Sequence, residues 1–273
     1  MPQGTEAKIA FDYAKIAKAD YKAAAILYQK GLYAQAVYNL QQSIEKSVKS
    51  FGLMVGIIEP TDLKDVSHDS VYALLIRMDS LAEYLSTSVS YLLTANQNQI
   101  ERVPQLSKVL KRMGPLIPSP ESIQSDVKTI DKLNTQQMWI ATLNLDTTNK
   151  FVKSALDALE NNYWAKQKVV LPMRIIHLLS KLTKQKTMVN YYMGLLQSSP
   201  RSYSLAILTM WHETPTRYPP VSSHDYWQAE QYTSDKPLLK RFPFLLKHTK
   251  VLTNGVYDSA LAASRITATV AEK

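Results

Sequence analysis

The sequence predicts an all-α protein built as an antiparallel helical bundle. Only 7 of 273 residues are glycine and none is cysteine, while Ala, Leu, Lys and Gln abound, a composition that favours helices over a β-sandwich. Apolar residues recur at steps of three and four along most of the chain, the period of a helix with one buried face. No repeat of fixed period appears, and the length suits one large domain or two small ones with a real core.

Taken in order, residues 6–30 and 32–55 read as two long helices joined by a tight turn at Lys30-Gly31. Ile9, Tyr13, Ile16, Ala24 and Leu27 form the stripe of the first helix, with Asp20 its one charged member. Val37, Leu40, Ile44, Val48 and Phe51 form that of the second, and Glu45, Lys46 and Lys49 lie away from it as solvated residues. So short a connection implies an antiparallel hairpin. Gly56 to Val66, with Pro60, Thr61 and Asp62, is a linker. A third helix starts near His68 behind Ser67 as N-cap, and shorter helices follow at 99–113 and 120–133. The stretch 135–163 is expected to be helical. Residues 164–198 make one or two further helices with Pro172 a start or kink, and 202–211 a short buried one. A proline-rich loop, HETPTRYPPVSS, then leads to a closing helix over 234–269, bent at Pro243.

Zero cysteine removes disulfides, thiolate metal sites and cysteine nucleophiles, and fits a reducing cytoplasm. The N-terminal stretch is interrupted by charges, so no secretory leader is expected, and no run of about 18 apolar residues suggests a membrane span. The formal net charge is +9, and seven of its cations sit between Asn161 and His212, where there is no Asp or Glu. A field so concentrated suits polyanionic partners. Within it Arg174, His177, Lys181 and Lys184 step by three, four and three along one helix face, beside an apolar stripe of Ile175, Leu178, Leu179 and Leu182. With Tyr163, Trp164, Tyr191 and Tyr192 nearby, this reads as an RNA-binding surface with stacking platforms; an anionic membrane face is the rival reading.

Two distant segments carry a family resemblance. In AKADYKAAAILYQKGLYAQAVYNLQQSIEKSVKSFGL (17–53) an acidic residue and small residues precede G-x-Y-x-x-A and then Q-x-x-E-K-x-x-K, supplied by Asp20, Gly31, Tyr33, Ala36, Gln42, Glu45, Lys46 and Lys49. TRYPPVSSHDYW (216–227) is similar to an R-Y-P loop that precedes a last helix. Together these resemble the HEPN superfamily over roughly the first 75 and last 70 residues. A tetratricopeptide hairpin shares G-x-Y-x-x-A, but such an array needs further copies at a period of 34 and none follows. The resemblance implies a composite domain: HEPN-like first helices over 1–75, a helical insertion with the basic segment over 76–200, and the R-Y-P loop and closing helix over 201–273. It also implies a homodimer.

Many HEPN proteins are metal-independent ribonucleases whose motif is Arg, four to six residues, then His. Here the resemblance points to Arg217 and His224, six residues apart, at a helix start where Ser222 and Asp225 form a capping-box pattern. The chemistry needs these types. An imidazole can take a proton from a ribose 2′-hydroxyl or return one to the leaving oxygen, and a guanidinium can hold the phosphate as charge develops. The products would carry 2′,3′-cyclic phosphates, and DNA would not be cut. Pro219 and Pro220 depart from the polar residue that usually follows the Arg, and in many R-Y-P members the Arg binds helix-end carbonyls instead. A second pair at this spacing, Arg241 and His248, falls in the closing helix, where both side chains are expected at the surface. Tyr226 completes a His-x-Tyr ending, which in a subset of HEPN toxins is adenylylated by a minimal nucleotidyltransferase antitoxin. No phosphate-binding Gly-rich loop, dinucleotide fingerprint, H-E-x-x-H or nucleophile elbow occurs, so no cofactor and no metal is expected. The expected activity is endoribonucleolytic, in toxin–antitoxin or antiviral defence. The alternative is a non-catalytic nucleotide- or nucleic-acid-binding module beside a nucleotidyltransferase.

Overall fold

In the computed structural model, residues 4–56, 58–63, 135–160, 186–212, 216 and 229–271 are described. They are helical, with no strand among them. Helix α1 (Gly4–Gln29) and α2 (Tyr33–Val55) form the expected antiparallel hairpin. Helices α3 (Thr135–Leu143), α4 (Lys150–Glu160) and α5 (Lys186–Thr209) follow, then the short α6 (Pro237–Lys240) and the closing α7 (Phe242–Ala271). Short 3₁₀ turns lie at Pro60–Leu63, Met210–His212 and Ala229–Gln231. None of the described helices is long and apolar enough to cross a membrane.

The hairpin turn depends on one residue. Gly31 has φ +73°, and Gly31 N and Leu32 N donate to the Tyr28 and Leu27 carbonyls, closing α1 with a left-handed cap that an L side chain adopts only under strain. Helix α2 is the axis of the molecule. Val37, Leu40, Ile44, Val48 and Phe51 are all buried as their spacing predicts, and from Ser43 to Val55 only Lys46 is not fully buried. Helices α1, α5 and α7 each pack against it.

The first helix differs from expectation. Its core face is Ala7, Ala10, Ala14, Ala17 and Ala24, each wholly buried, whereas Ile16 points outward. The reason is proximity. Ser43 and Ser50 of α2 donate hydroxyl hydrogen bonds to the Ala17 and Ala10 carbonyls at 2.8 and 2.7 Å, an approach that only small side chains between the two helices permit.

Helix α7 runs antiparallel to α1: Phe11 meets Tyr257, and Tyr28 stacks on Phe242 at 4.7 Å and donates its hydroxyl to the Leu239 carbonyl. It also runs antiparallel to α5, where Ser198 Oγ and Ser259 Oγ reach the Leu252 and Tyr191 carbonyls. Gly194 and Gly255 meet at that crossing, and a Cβ on Gly194 would collide with the Gly255 carbonyl and Ser259 Oγ. The two ends of the chain therefore share one core.

Three further expectations change. The helix expected over 135–163 breaks at 144–149: Leu145 takes a positive φ of 46°, Asp146 Oδ1 accepts from Thr148, and Asn149 Oδ1 caps α4 by accepting from Phe151 N and Val152 N. The separate helices expected up to 198 and over 202–211 are, from Lys186, the single α5, which runs through Pro200. At the closing helix the break falls at Arg241, leaving Pro243 in the first turn of α7, where its missing N–H costs nothing. The helices expected from His68 to 133, and residues 164–185, lie outside the described residues.

Candidate functional site

The residues expected to carry chemistry, Arg217, His224 and Tyr226, lie outside the described residues, as do Arg174, Lys181 and Lys184 of the basic stripe. The described structure supplies two clusters around them in the chain: a polar ladder on the first hairpin, and a buried group that flanks the R-Y-P segment.

The ladder runs along α2. Lys49 Nζ donates to Glu45 Oε1 at 2.8 Å, with both side chains less than one-tenth exposed. Gln41 Nε2 and Gln42 Nε2 both donate to Glu45 Oε2 at 3.2 Å, and Gln42 also donates to Gln41 Oε1 at 2.8 Å. Lys46 Nζ crosses to α1, donating to Asp20 Oδ2 at 2.7 Å and to Gln42 Oε1 at 2.9 Å, at a half-open edge of the interface. The Q-x-x-E-K-x-x-K residues are thus not solvated helix polars, as their charge suggested. Glu45 and Lys49 are buried, and Asp20 has a partner across the hairpin. A buried pair of this kind is costly to desolvate and is tolerated only because each atom finds a partner. The other resemblance positions are structural too: Gly31 makes the turn, Ala36 is wholly buried, and Tyr33 packs edge-on against Tyr28.

The second cluster draws on three separate elements. Tyr232, next to the turn Ala229–Gln231, accepts a hydrogen bond from Trp139 Nε1 of α3 at 2.9 Å, and its hydroxyl lies 2.8 Å from Nδ1 of His212. His212 is fully buried, and its Nε2 has no hydrogen-bond partner among the described residues. Burial pushes the imidazole down to about 3, a contact with the Leu208 carbonyl opposing it in part; burial likewise raises the Tyr232 phenol, with the Trp139 hydrogen bond working the other way. His212 and Tyr232 stand on either side of the segment that holds Arg217 and His224, so their contact brings the two ends of that segment together. Thr216 Oγ1 adds a hydrogen bond to the His212 carbonyl. His212 bridges separate elements through its contact with Tyr232. Tyr232 and Trp139 were missed, since nothing local marks residues 93 positions apart as partners.

Other expectations are corrected. Tyr191 is no stacking platform: it is wholly buried, and its hydroxyl donates to the Met54 carbonyl at 2.7 Å. Arg241 is at the surface, paired with Glu160, but His248 is buried against Phe244, and burial, with Arg201 and Lys247, pushes it down to about 4. That pair cannot share a phosphate in this arrangement. Among the described residues no group of three or more His, Asp or Glu could hold a metal ion.

The described arrangement is an internally paired hairpin and a buried Trp139–Tyr232–His212 group, two of whose members flank the R-Y-P segment in the chain. Against known proteins, the HEPN domain family model matches residues 10–68, the hairpin and the start of the segment after it. No curated protein and no solved structure matches the chain significantly.

Proposed function

Since this chain belongs to the HEPN superfamily, we propose that it is a metal-independent endoribonuclease acting in toxin–antitoxin or antiviral defence. The observation that carries the reading is the family match over the first hairpin, joined to an Arg217–His224 pair at the family's spacing in the sequence. His224 takes the proton of the 2′-hydroxyl or returns one to the departing 5′-oxygen, and Arg217 holds the phosphate. Tyr226 is the modification site through which a nucleotidyltransferase antitoxin would silence the enzyme: an added AMP puts bulk and negative charge beside Arg217. Arg174, Lys181 and Lys184 hold the RNA backbone. The working form is a cytoplasmic homodimer in which two Arg217/His224 sets converge. The regions 1–75 and 201–273 form the HEPN-like part and 76–200 the insertion, with α5 running across the latter boundary.

A second reading, a non-catalytic nucleic-acid-binding module paired with a nucleotidyltransferase, is favoured by the 52 acid-free residues from Asn161 to His212. RNA incubated in EDTA with the wild type, Arg217→Ala and His224→Ala separates the two. The nuclease reading expects 2′,3′-cyclic ends from the wild type and a loss of at least about 100-fold in each variant. Equal cleavage by all three removes this site. Salt-sensitive binding without cleavage, weakened by Lys181→Glu with Lys184→Glu, establishes the second reading.

A further inference from the structure

The outward face of α1 takes no part in the core of the described residues, yet its pattern is ordered. Ile16 and Ile26 are 47 and 57% exposed, and Leu32 just beyond the helix is 47% exposed; among the described residues only Ile140 joins them as an exposed large hydrophobic side chain. Between the two isoleucines lie Ala19, exposed, and Ala23, half-buried. Positions 16, 19, 23 and 26 step by three, four and three, the seam spacing of a coiled coil, over about 15 Å of helix. Their own bundle does not explain them, because α1 fills its core with Ala7, Ala10, Ala14, Ala17 and Ala24 on other faces.

The flank of the seam is equally regular. Lys8, Lys15 and Lys22 are exposed and spaced by seven, so they run as one row beside it. Asp12 pairs with Lys15 of this row at 2.6 Å, so an acid of the partner shares that lysine with Asp12, while Asp20 pairs with Lys46 at 2.7 Å. We propose that this face docks an amphipathic helix of a partner protein, apolar at its own three-and-four-spaced positions and acidic along the flank that meets Lys8, Lys15 and Lys22. The alanines at the middle of the seam let the two axes approach closely, and the lysine row sets register and partner choice. A second copy of α1 fits poorly. Laid antiparallel about a twofold axis, it sets Lys22 against its own counterpart; laid parallel, it can pair Lys15 only by taking Asp20 from Lys46. Nucleic acid also fits poorly, since the centre of the face is aliphatic. The proposal does not depend on the ribonuclease reading.

The probe is a fluorescein-labelled, four-heptad synthetic helix with Leu at its seam positions and Glu on its flanks; a twin carries Lys on the flanks. Anisotropy should show the Glu-flanked peptide binding the full chain and the Lys-flanked twin not binding. Ile16→Asn with Ile26→Asn should weaken binding at least about tenfold, and Lys8→Glu, Lys15→Glu and Lys22→Glu together should reverse the preference to the Lys-flanked peptide. All five positions are exposed or nearly so, and unchanged circular dichroism shows that the variants fold. The proposal is overturned if the Glu-flanked peptide does not bind or if both peptides bind alike. It is also overturned if sedimentation finds a dimer that Ile16→Asn with Ile26→Asn dissolves, or if those changes abolish binding of a short single-stranded RNA instead.

Discussion

Acid should loosen this protein through His212 as the pH falls below about 6.5. The imidazole is fully buried, Nδ1 faces the Tyr232 hydroxyl, and Nε2 has no acceptor among the described residues, so an imidazolium there would be both desolvated and short of a hydrogen bond. Its folded-state pKa, about 3, lies below the ordinary 6.5. As the pH falls the unfolded chain therefore binds the proton first: the stabilisation is complete above about 6.5 and drains away toward 3. Between pH 7 and pH 4 the loss is about 3 kcal/mol, a large share of the 5–15 kcal/mol typical of a folded domain. His248 loses stability in the same direction, so the test is a difference. Asn at position 212 keeps an oxygen acceptor for Tyr232 but does not titrate. Denaturant unfolding of the wild type and His212→Asn at pH 7, 5.5 and 4 should show the wild type losing about 3 kcal/mol more than the variant over that range. The same pH dependence in both proteins would refute the placement of a neutral, sealed His212.

Two further outcomes follow from packing and pairing. Gly194→Ala should cost roughly 2–3 kcal/mol, because its new methyl meets the Gly255 backbone, whereas Gly255→Ala, at 2.6 Å from the movable Ser198 Oγ and 3.1 Å from the Gly194 carbonyl, should cost clearly less; thermal melts of the two variants give the order. Glu45→Ala should cost about 3–5 kcal/mol by stranding the Lys49 ammonium, while replacing both with Met should recover most of it; chemical denaturation of the single and double variants distinguishes a buried pair from a solvated one.

The parts of the fold that could be read in advance were those where one face of a helix is uniformly large and apolar. In α2, Val37 through Phe51 announce their burial by spacing alone. In α1 the same reasoning chose Ile16 over Ala14 and Ala17, because hydrophobicity weighs side-chain size while close packing against Ser43 and Ser50 rewards its absence. The break between α3 and α4 was legible in principle, since Asp146 and Asn149 are turn and cap residues; the apolar residues around them hid it. For the site, residue types suggested solvent for Glu45 and Lys49. Only the neighbouring Gln41 and Gln42, which complete the pairing, make their burial tolerable. Trp139 and Tyr232 left no local trace, as they lie 93 positions apart and come from separate elements.

The pairing of α1 with α7 has a consequence in time. The alanine face and the Tyr28 ring are synthesised long before Phe242 and Tyr257, which lie far downstream in the chain. A ribosome must therefore carry an unfinished hairpin, its α7-facing side uncovered, until α7 itself has emerged.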